Sequence, residues 1–268
     1  MRILIIGSKG MLGQACVKHF SKSHKVNVFD DRYSLENREV FAKLILEFDV
    51  DLIIHCVGKI PQLTSDEADL FHINAVMTMD IVNIIDENNI PFIYPSTDCV
   101  FNGHGPDDYY SKYQFQDCSN SYGTSKLLGE KIVLTSNNGY VVRVSIIGPD
   151  RRPSAQGLWN WVSNWPIGAV IDGFTNHTWN GITTLQWCKE IEKLFILGKP
   201  DRRLYQLGTA KRISKYNLIK LIASKLGKEN TINEVSTAQN VNRSLIPDYY
   251  VQDIEIQIDE IVGNEDLL

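Results

Sequence analysis

A glycine-rich turn directly after an apolar strand is the feature that most constrains this fold. Residues 2–7 (RILIIG) predict a short, fully buried β-strand, and GSKGMLG follows at residues 7–13 as a G-x-x-G-x-x-G turn that opens a helix. Such glycines let the backbone approach a pyrophosphate, which binds the free N–H groups of the helix N-terminus. A ligand-free turn is the less favoured interpretation in this strand–turn–helix context. We expect these residues along a dinucleotide cofactor: Gly7, Lys9, Gly10, Met11 and Leu12.

Short apolar strands alternate with amphipathic helices over the first 150 residues. The predicted strands are residues 2–7, 25–30, 51–57, 91–96 and 140–147, and the predicted helices are residues 10–20, 35–48, 68–88 and 122–134. Alternation of this kind indicates a parallel sheet with helices on both faces. We therefore predict an α/β fold, a Rossmann-type doubly wound parallel sheet with a small interleaved C-terminal substrate domain.

The regular alternation stops after Gly148, where prolines and tryptophans cluster. It resumes with a predicted helix at residues 182–197, a strand at 204–207 and a helix at 214–226, followed by a polar tail. We assign residues 1–150 to an NAD(P)-binding domain and residues 151–268 mainly to a substrate-binding domain. Within the second part, residues of about 181–210 are expected to return to the first domain.

The composition excludes several classes of function. The chain has 268 residues, a net charge of −5 and no Lys/Arg run, so nucleic acid and anionic membrane surfaces are not expected partners. No apolar window of ~20 residues predicts a membrane span, and the N-terminus lacks a signal-peptide layout, so a cytoplasmic protein is expected. The five cysteines are scattered, which predicts reduced thiols, and neither they nor the histidines form a metal-ligand pattern.

The end of the second predicted strand leaves the choice of cofactor open. Asp30 stands where an acid commonly binds the adenosine ribose hydroxyls, which favours NAD(H). Arg32, two residues later, is suited to a 2′-phosphate, which favours NADP(H). Both side chains also fit an ordinary solvated turn.

A tyrosine and a lysine four residues apart suggest acid–base chemistry. Tyr122 and Lys126 share a face of a predicted helix, where an ammonium group is expected to lower the pKa of a phenol. A phenol tuned in this way donates a proton to a substrate oxygen, and the lysine can also bind the cofactor ribose. Thr97 ends the fourth strand, at the sheet edge where parallel sheets bind ligands, and its hydroxyl can polarise the same carbonyl.

Three segments together resemble one enzyme family. They are GSKGMLG (residues 7–13), STDCVFNG (residues 96–103) and YGTSKLLGE (residues 122–130). The chain resembles the extended short-chain dehydrogenase/reductases, in particular the dTDP-4-dehydrorhamnose reductase branch. The resemblance implies hydride transfer from NAD(P)H to the C4 ketone of a nucleotide-linked 4-keto-6-deoxysugar, in polysaccharide precursor synthesis. It makes Thr97, Tyr122 and Lys126 the catalytic set, and it places these residues along the cofactor: Cys56, Val57, Gly58 and Asn74.

The substrate side carries weaker signals. We expect contributions there from Asp98, Cys99, Trp179, Asn180 and Arg243, although Asn180 also suits a turn and Arg243 a surface ion pair. Arg243 is suited to a substrate pyrophosphate. The tryptophans are expected mostly to fill the core. Homodimers are common in the family that this chain resembles, and the sequence leaves the oligomeric state of this chain open.

Three rival functions remain. Family members usually have tyrosine where this chain has Cys99; an epimerase-reductase similar to GDP-fucose synthase would use that thiol together with His177. A non-catalytic NADP-binding regulatory subunit would share the fold but would not need Tyr122 as a proton donor. A 4,6-dehydratase is disfavoured, because no glutamate follows Thr97 and Asp98.

Overall fold

Parallel strands form the central layer of the molecule. The computed structural model describes residues 1–105, 109–153 and 155–264, so the predicted boundary at residue 268 lies outside the described residues. The strands are β1 (Arg2–Ile6), β2 (Lys25–Phe29), β3 (Leu52–His55), β4 (Phe92–Ser96), β5 (Gly139–Arg143), β6 (Ile146–Ile147), β7 (Val170–Phe174), β8 (His177–Trp179), β9 (Ile182–Thr183), β10 (Leu204–Thr209), β11 (Ile213–Ser214), β12 (Thr231–Val235), β13 (Val241–Asn242) and β14 (Tyr249–Val251). The main sheet has seven strands in the order β14-β10-β5-β4-β3-β1-β2, and its pairings are parallel.

Helices cover both faces of this sheet. The helices of the described residues are α1 (Met11–Phe20), α2 (Arg38–Leu46), α3 (Glu67–Phe71), α4 (Met77–Asn88), α5 (Ser121–Thr135), α6 (Leu158–Ser163), α7 (Thr184–Ile191), α8 (Lys215–Lys225) and α9 (Ile254–Val262), of which α6, α8 and α9 lie apart from the sheet. A π-helical turn, His72–Val76, joins α3 to α4, and a second, Glu192–Leu197, extends α7. The helix predicted from residue 35 begins only at Arg38, because Asn37 accepts a hydrogen bond from the backbone N–H of Ser34 in a turn before it.

The side-chain alternation of the strands separates two cores. In β1, Ile3 and Ile5 pack with α1 and α7 on one face of the sheet. Leu4 and Ile6 point the other way and pack with α2, α4 and α5. This period of two, with both faces apolar, is typical of a parallel strand buried between helix layers. The predicted doubly wound sheet is confirmed.

The long helix Glu67–Asn88 is a core element of this sheet. By length and composition it is the one helix among the described residues that could cross a membrane, with 56% of its most apolar window buried. Ile81 and Ile85, on its apolar face, pack fully buried in the same core as Leu4 and Ile6. The sheet therefore already covers the apolar face of this helix.

A further core lies beyond the carboxyl edge of the sheet. It joins α6, α8 and α9 around Trp159 and Trp179. Three small sheets flank it, in the orders β11-β8-β13, β12-β7 and β6-β9. The prediction of a polar tail after residue 226 is wrong, since β12, β13, β14 and α9 lie there. These strands have only two to five residues, too few to show a pattern.

Two late strands extend the main sheet. β10 pairs with β5 and lies within residues 181–210, which we expected to return to the first domain. β14 pairs with β10 at the outer edge, a position that the sequence did not suggest. The part of the chain beyond residue 150 thus contributes strands to the sheet as well as the separate core.

Candidate active site

The glycine turn is shaped by close backbone contacts. Gly7 has φ +85°, a left-handed conformation that favours glycine, and a Cβ there would lie 2.5 Å from Val57 Cγ2. A Cβ on Gly13 would lie 2.1 Å from the Gly7 carbonyl oxygen. The N-cap of α1 is Gly10, and no side chain caps this helix end. Its first N–H groups are therefore available, and the turn fits a pyrophosphate.

Asp30 and Arg32, which leave the choice between NAD(H) and NADP(H) open, do not line the main cleft. Asp30 Oδ1 accepts a hydrogen bond from the Ser8 backbone N–H (2.7 Å), and Oδ2 accepts one from the Ser8 hydroxyl (2.6 Å). Lys9 Nζ lies 4.0 Å from the same carboxylate. Arg32 is exposed, and its carbonyl oxygen accepts a hydrogen bond from the side chain of Asn37. Asp30 and Lys9 thus lie together at the strand end where a Rossmann fold binds the adenosine ribose, and Arg32 follows two residues later in the chain.

A cleft of ≈ 680 Å³ opens at the carboxyl ends of β3, β4 and β5. It begins at the N-terminus of α1 and continues to the core around Trp159 and Trp179. The predicted residues that line it are Met11, Leu12, Cys56, Val57, Gly58, Thr97, Asp98, Cys99, Tyr122, Lys126, Trp179 and Arg243. The structure therefore brings the glycine turn, the strand-end threonine and the tyrosine–lysine pair into one cavity.

Two predicted site residues, Asn74 and Asn180, brace the backbone instead of lining the cleft. Asn74 is buried, accepts a hydrogen bond from the Lys59 backbone N–H (2.9 Å) and donates one to Ser125 Oγ (3.0 Å). Asn180 is also buried, and it both donates to the carbonyl and accepts from the N–H of Leu245. These bonds join Asn180 to a segment 65 residues later, so they differ from the local turn chemistry that we considered for it.

The end of β4 presents Thr97 to the cleft. Its Oγ1 accepts a hydrogen bond from the Cys99 backbone N–H (3.1 Å) and donates one to Asp98 Oδ1 (3.1 Å). Helix α5 approaches this turn closely, because a Cβ on Gly123 would lie 2.2 Å from the Cys99 carbonyl oxygen. The close approach brings Tyr122, which precedes this glycine, into the cleft close to Thr97.

The pKa of Tyr122 is raised, which corrects our expectation that Lys126 lowers it. Burial and the neighbouring Cys99 raise this pKa, and the nearby Thr97 hydroxyl lowers it only in part. Lys126 is directed elsewhere, since its Nζ donates to the Pro95 carbonyl oxygen at 2.7 Å. Burial lowers the pKa of Lys126 to about 7, while the charge of Glu130 opposes that shift. The lysine is therefore only partly charged at neutral pH.

The buried lysine predicts a pH-dependent stability. Folded Lys126 loses its proton near pH 7 and the unfolded side chain near pH 10.5, so between these values the unfolded state binds more protons and stability rises with pH. We expect Lys126→Met to be more stable than the wild type at pH 6, with this advantage smaller by about 2–3 kcal/mol at pH 9. Urea unfolding at both pH values measures the difference. The exposed Lys131→Met should show no such change, and an equal advantage at both pH values contradicts the prediction.

The far side of the cleft carries positive charge. Arg243 Nε and Nη2 donate to the carbonyl oxygens of Phe101 and Asn102, both at 3.2 Å, which fixes the guanidinium at the cleft wall. Lys215 and His177 line the same wall. Sequence reasoning missed Lys215, the first residue of α8, because a lysine at a helix start has no distinctive pattern.

A buried ion pair beneath the site was also missed. Arg143 on β5 donates to both carboxylate oxygens of Glu130 on α5, at 2.8 and 2.7 Å, and both side chains are almost fully buried. Ser96 Oγ, next to Thr97, donates to the same carboxylate at 2.5 Å. The available signal was a single arginine within the apolar run YVVRVSII (residues 140–147). The pair ties α5 to the strand ends that carry the site.

Comparisons with known proteins relate this chain to one family and one fold. A family model described as the RmlD substrate binding domain matches residues 1–255. The chain is 28% identical over 196 residues to a probable low-salt glycan biosynthesis reductase, Agl14, of Haloferax volcanii, covering 66% of this chain and 65% of that protein. It is 31% identical over 162 residues to methionine adenosyltransferase 2 subunit beta of Xenopus laevis, covering 56% of this chain and 48% of that protein. The chain thus spans less than two thirds of the length of these curated relatives.

A solved structure shows the same fold along nearly the whole chain. It is a dTDP-4-dehydrorhamnose reductase from Bacillus anthracis in complex with NADP, with a TM-score of 0.83, 20% identity and 97% of both chains covered. At this identity the likeness concerns the fold.

Proposed function

The chain belongs to the RmlD substrate-binding-domain family, and on this basis we propose that it reduces the C4 ketone of a nucleotide-diphospho-4-keto-6-deoxysugar with NAD(P)H. The observation that carries the proposal is the single cleft that joins the glycine turn to Thr97, Tyr122 and Lys126. Two of the similar proteins are named as reductases, which supports the reaction class.

The residues around the glycine turn fit the dinucleotide. The uncapped N-terminus of α1 would hold the pyrophosphate, and Asp30, Lys9 and Arg32 would lie at the adenosine ribose. Residues 56–58 at the end of β3 would lie along the nicotinamide half, since they line the cleft between the turn and Tyr122. Bound there, NAD(P)H supplies the hydride.

The raised pKa of Tyr122 suits a proton donor in the direction of reduction. The phenol stays protonated at neutral pH, so its proton is present when negative charge develops on the ketone oxygen. Thr97, close to this phenol, offers its hydroxyl to the same oxygen once it turns from Asp98. Lys126 lines the same cleft, and in its charged form it would favour the phenolate that remains after the transfer if its Nζ turned from the Pro95 carbonyl towards the phenol.

The cations of the far wall support a substrate with a diphosphate. Arg243 and Lys215 place positive charge in a cleft of a chain whose net charge is −5. A local field of this sign attracts an anionic ligand in spite of the overall charge. Trp179 and Trp159 form an apolar wall beside these cations, a surface suited to a sugar or a nucleobase.

An epimerase-reductase is the second candidate, because Cys99 and His177 both line the cleft. The position of the Cys99 thiol in the cleft suits this candidate, but the pKa of the thiol does not. Burial and the charge of Asp98 raise the pKa of Cys99 to about 12, which makes it a poor base for removing a carbon-bound proton.

A regulatory subunit is the third candidate, since one relative is named as the beta subunit of methionine adenosyltransferase 2. A protein that only binds the cofactor does not need a protonated phenol and a buried lysine in its cleft. Thr97, Tyr122 and Lys126 lie together here, which favours an enzyme.

A coupled assay tests the proposal. NADPH or NADH oxidation is followed at 340 nm with dTDP-, UDP- and GDP-4-keto-6-deoxysugars, each with and without a 3,5-epimerase. We expect turnover that requires the epimerase and that identifies the nucleotide. Turnover without it, with solvent deuterium incorporated at C3 or C5, would support the Cys99 alternative. Cofactor binding without turnover on any of these sugars would contradict the reductase.

A further inference from the structure

Lys126 is held by an unusual set of neighbours. Its side chain is buried, its Nζ donates to the Pro95 carbonyl oxygen at 2.7 Å, and it lies 3.9 Å from the ring centroid of Tyr94. An ammonium at this distance over an aromatic face is attracted by the ring quadrupole, and more strongly when both groups are desolvated. The charged form of the lysine is therefore supported by a π face and a peptide oxygen.

The charged groups around Lys126 are otherwise engaged. Glu130, one turn later on α5, is held by both arms of Arg143 and by Ser96. His55, on β3, is neutral, because burial and the charge of Lys126 lower its pKa to about 3. Tyr122 is protonated, since its pKa is raised. The ring of Tyr94 thus favours the ammonium together with the Pro95 carbonyl oxygen and the charge of Glu130, which Arg143 and Ser96 also hold.

The orientation of the Tyr94 ring is fixed from the opposite side. Its hydroxyl donates to the Asn74 carbonyl oxygen at 2.9 Å, and the Thr78 hydroxyl donates to the same oxygen at 3.0 Å. Asn74 lies in the π-helical turn between α3 and α4. A Cβ on Gly129 would lie 2.3 Å from the Tyr94 hydroxyl, so glycine in α5 lets the helix close over this ring.

We propose that Tyr94 is a positioning residue for the reaction, whose aromatic face holds the Lys126 ammonium at the floor of the cleft and favours its charged form over the neutral one. The π-helical turn supplies the carbonyl that orients the ring, and the ring supports the lysine. The role in turnover rests on the proposed function, whereas the effect on the proton affinity of Lys126 does not.

The test measures Lys126 directly in the protein with ¹³C- and ¹⁵N-labelled lysine, its NMR signal assigned by its loss in Lys126→Arg. Tyr94 is replaced by phenylalanine and then by phenylalanines with one, two and three ring fluorines, which weaken the quadrupole with little change in shape. We expect the proton affinity of Lys126 to fall stepwise along this series, by about tenfold at three fluorines. Tyr94→Phe itself should change it far less, because only the hydroxyl is lost.

Two results would overturn the proposal: a proton affinity that stays constant along the fluorine series in folded protein, or one that falls as far in Tyr94→Phe as in the trifluorinated variant. A purely structural role would produce either of these. If the wild type turns over a sugar, kcat should fall along the same series while KM stays constant, and a constant kcat would remove Tyr94 from the reaction. Absence of turnover in the wild type would reject the reductase and leave the NMR result to decide the electrostatic role.

Discussion

Tyr122→Phe is expected to lower kcat by about 10²–10⁴-fold, the usual contribution of a positioned general acid, with little change in cofactor affinity. The change removes one hydroxyl from a half-buried ring that lines the cleft and lies close to Thr97. The ketone oxygen would then take its proton from water. Steady-state kinetics with the sugar identified in the coupled assay measure kcat, and titration with NADPH measures the dissociation constant.

A matched variant separates this effect from general damage. Tyr113 is 87% exposed and lies outside the cleft, so Tyr113→Phe should leave kcat unchanged. A deuterium isotope effect from labelled NADPH establishes whether hydride transfer limits the rate. With transfer limiting, an unaltered kcat in Tyr122→Phe would remove this residue from the role of proton donor.

Arg143→Met is expected to lower the free energy of unfolding by about 3–5 kcal/mol, because it leaves the Glu130 carboxylate buried without its partner. Both charged side chains are buried, with exposed fractions of 1% for Arg143 and 0% for Glu130. In the variant, the Glu130 carboxylate would keep only the hydrogen bond from Ser96 among these contacts. Chemical denaturation at neutral pH measures the loss. We also expect the positions of Thr97 and Lys126 to be disturbed, because Ser96 adjoins Thr97 and Glu130 lies one turn from Lys126.

Two comparisons test the cause of that loss. The pair Lys189–Glu260 is partly exposed, at 38% and 32%, so Lys189→Met should cost less than about 1 kcal/mol. The double variant Glu130→Leu/Arg143→Met removes both charges and should recover much of the stability lost in the single variant. A double variant that is as unstable as the sum of the two single variants would show that packing, and not the unpaired charge, causes the loss.

The parts of the fold that were predictable are those with a local pattern. The strand at residues 2–7 ends in a glycine turn, and apolar runs at fixed intervals place β1 to β5 and their helices within a few residues. The π-helical turn at His72–Val76 escaped prediction, because one extra residue in a helix hardly changes an apolar stripe. In α9 the spacing of Ile254, Ile258 and Ile261 was a usable signal that we did not apply.

The sequence predicted which residues form the site better than it predicted how those residues interact. The spacing of Tyr122 and Lys126 placed them on one helix face, and both line the cleft. The direction in which the Lys126 side chain points could not be predicted, because its partners, Pro95 and Tyr94, come from a strand about thirty residues earlier. Contacts between distant segments depend on packing, so the pKa of Tyr122 was predicted with the wrong sign.

The position of β14 has a consequence for how the chain folds during synthesis. This strand closes the outer edge of the main sheet beside β10, and only three residues later α9 enters the core around Trp159 and Trp179. Neither layer is complete until residues 249–262 have left the ribosome. A nascent chain that stops earlier exposes the edge of β10 and the apolar face of α8, both surfaces on which unfinished chains aggregate. Quality control should therefore act most strongly on chains that lack this last segment.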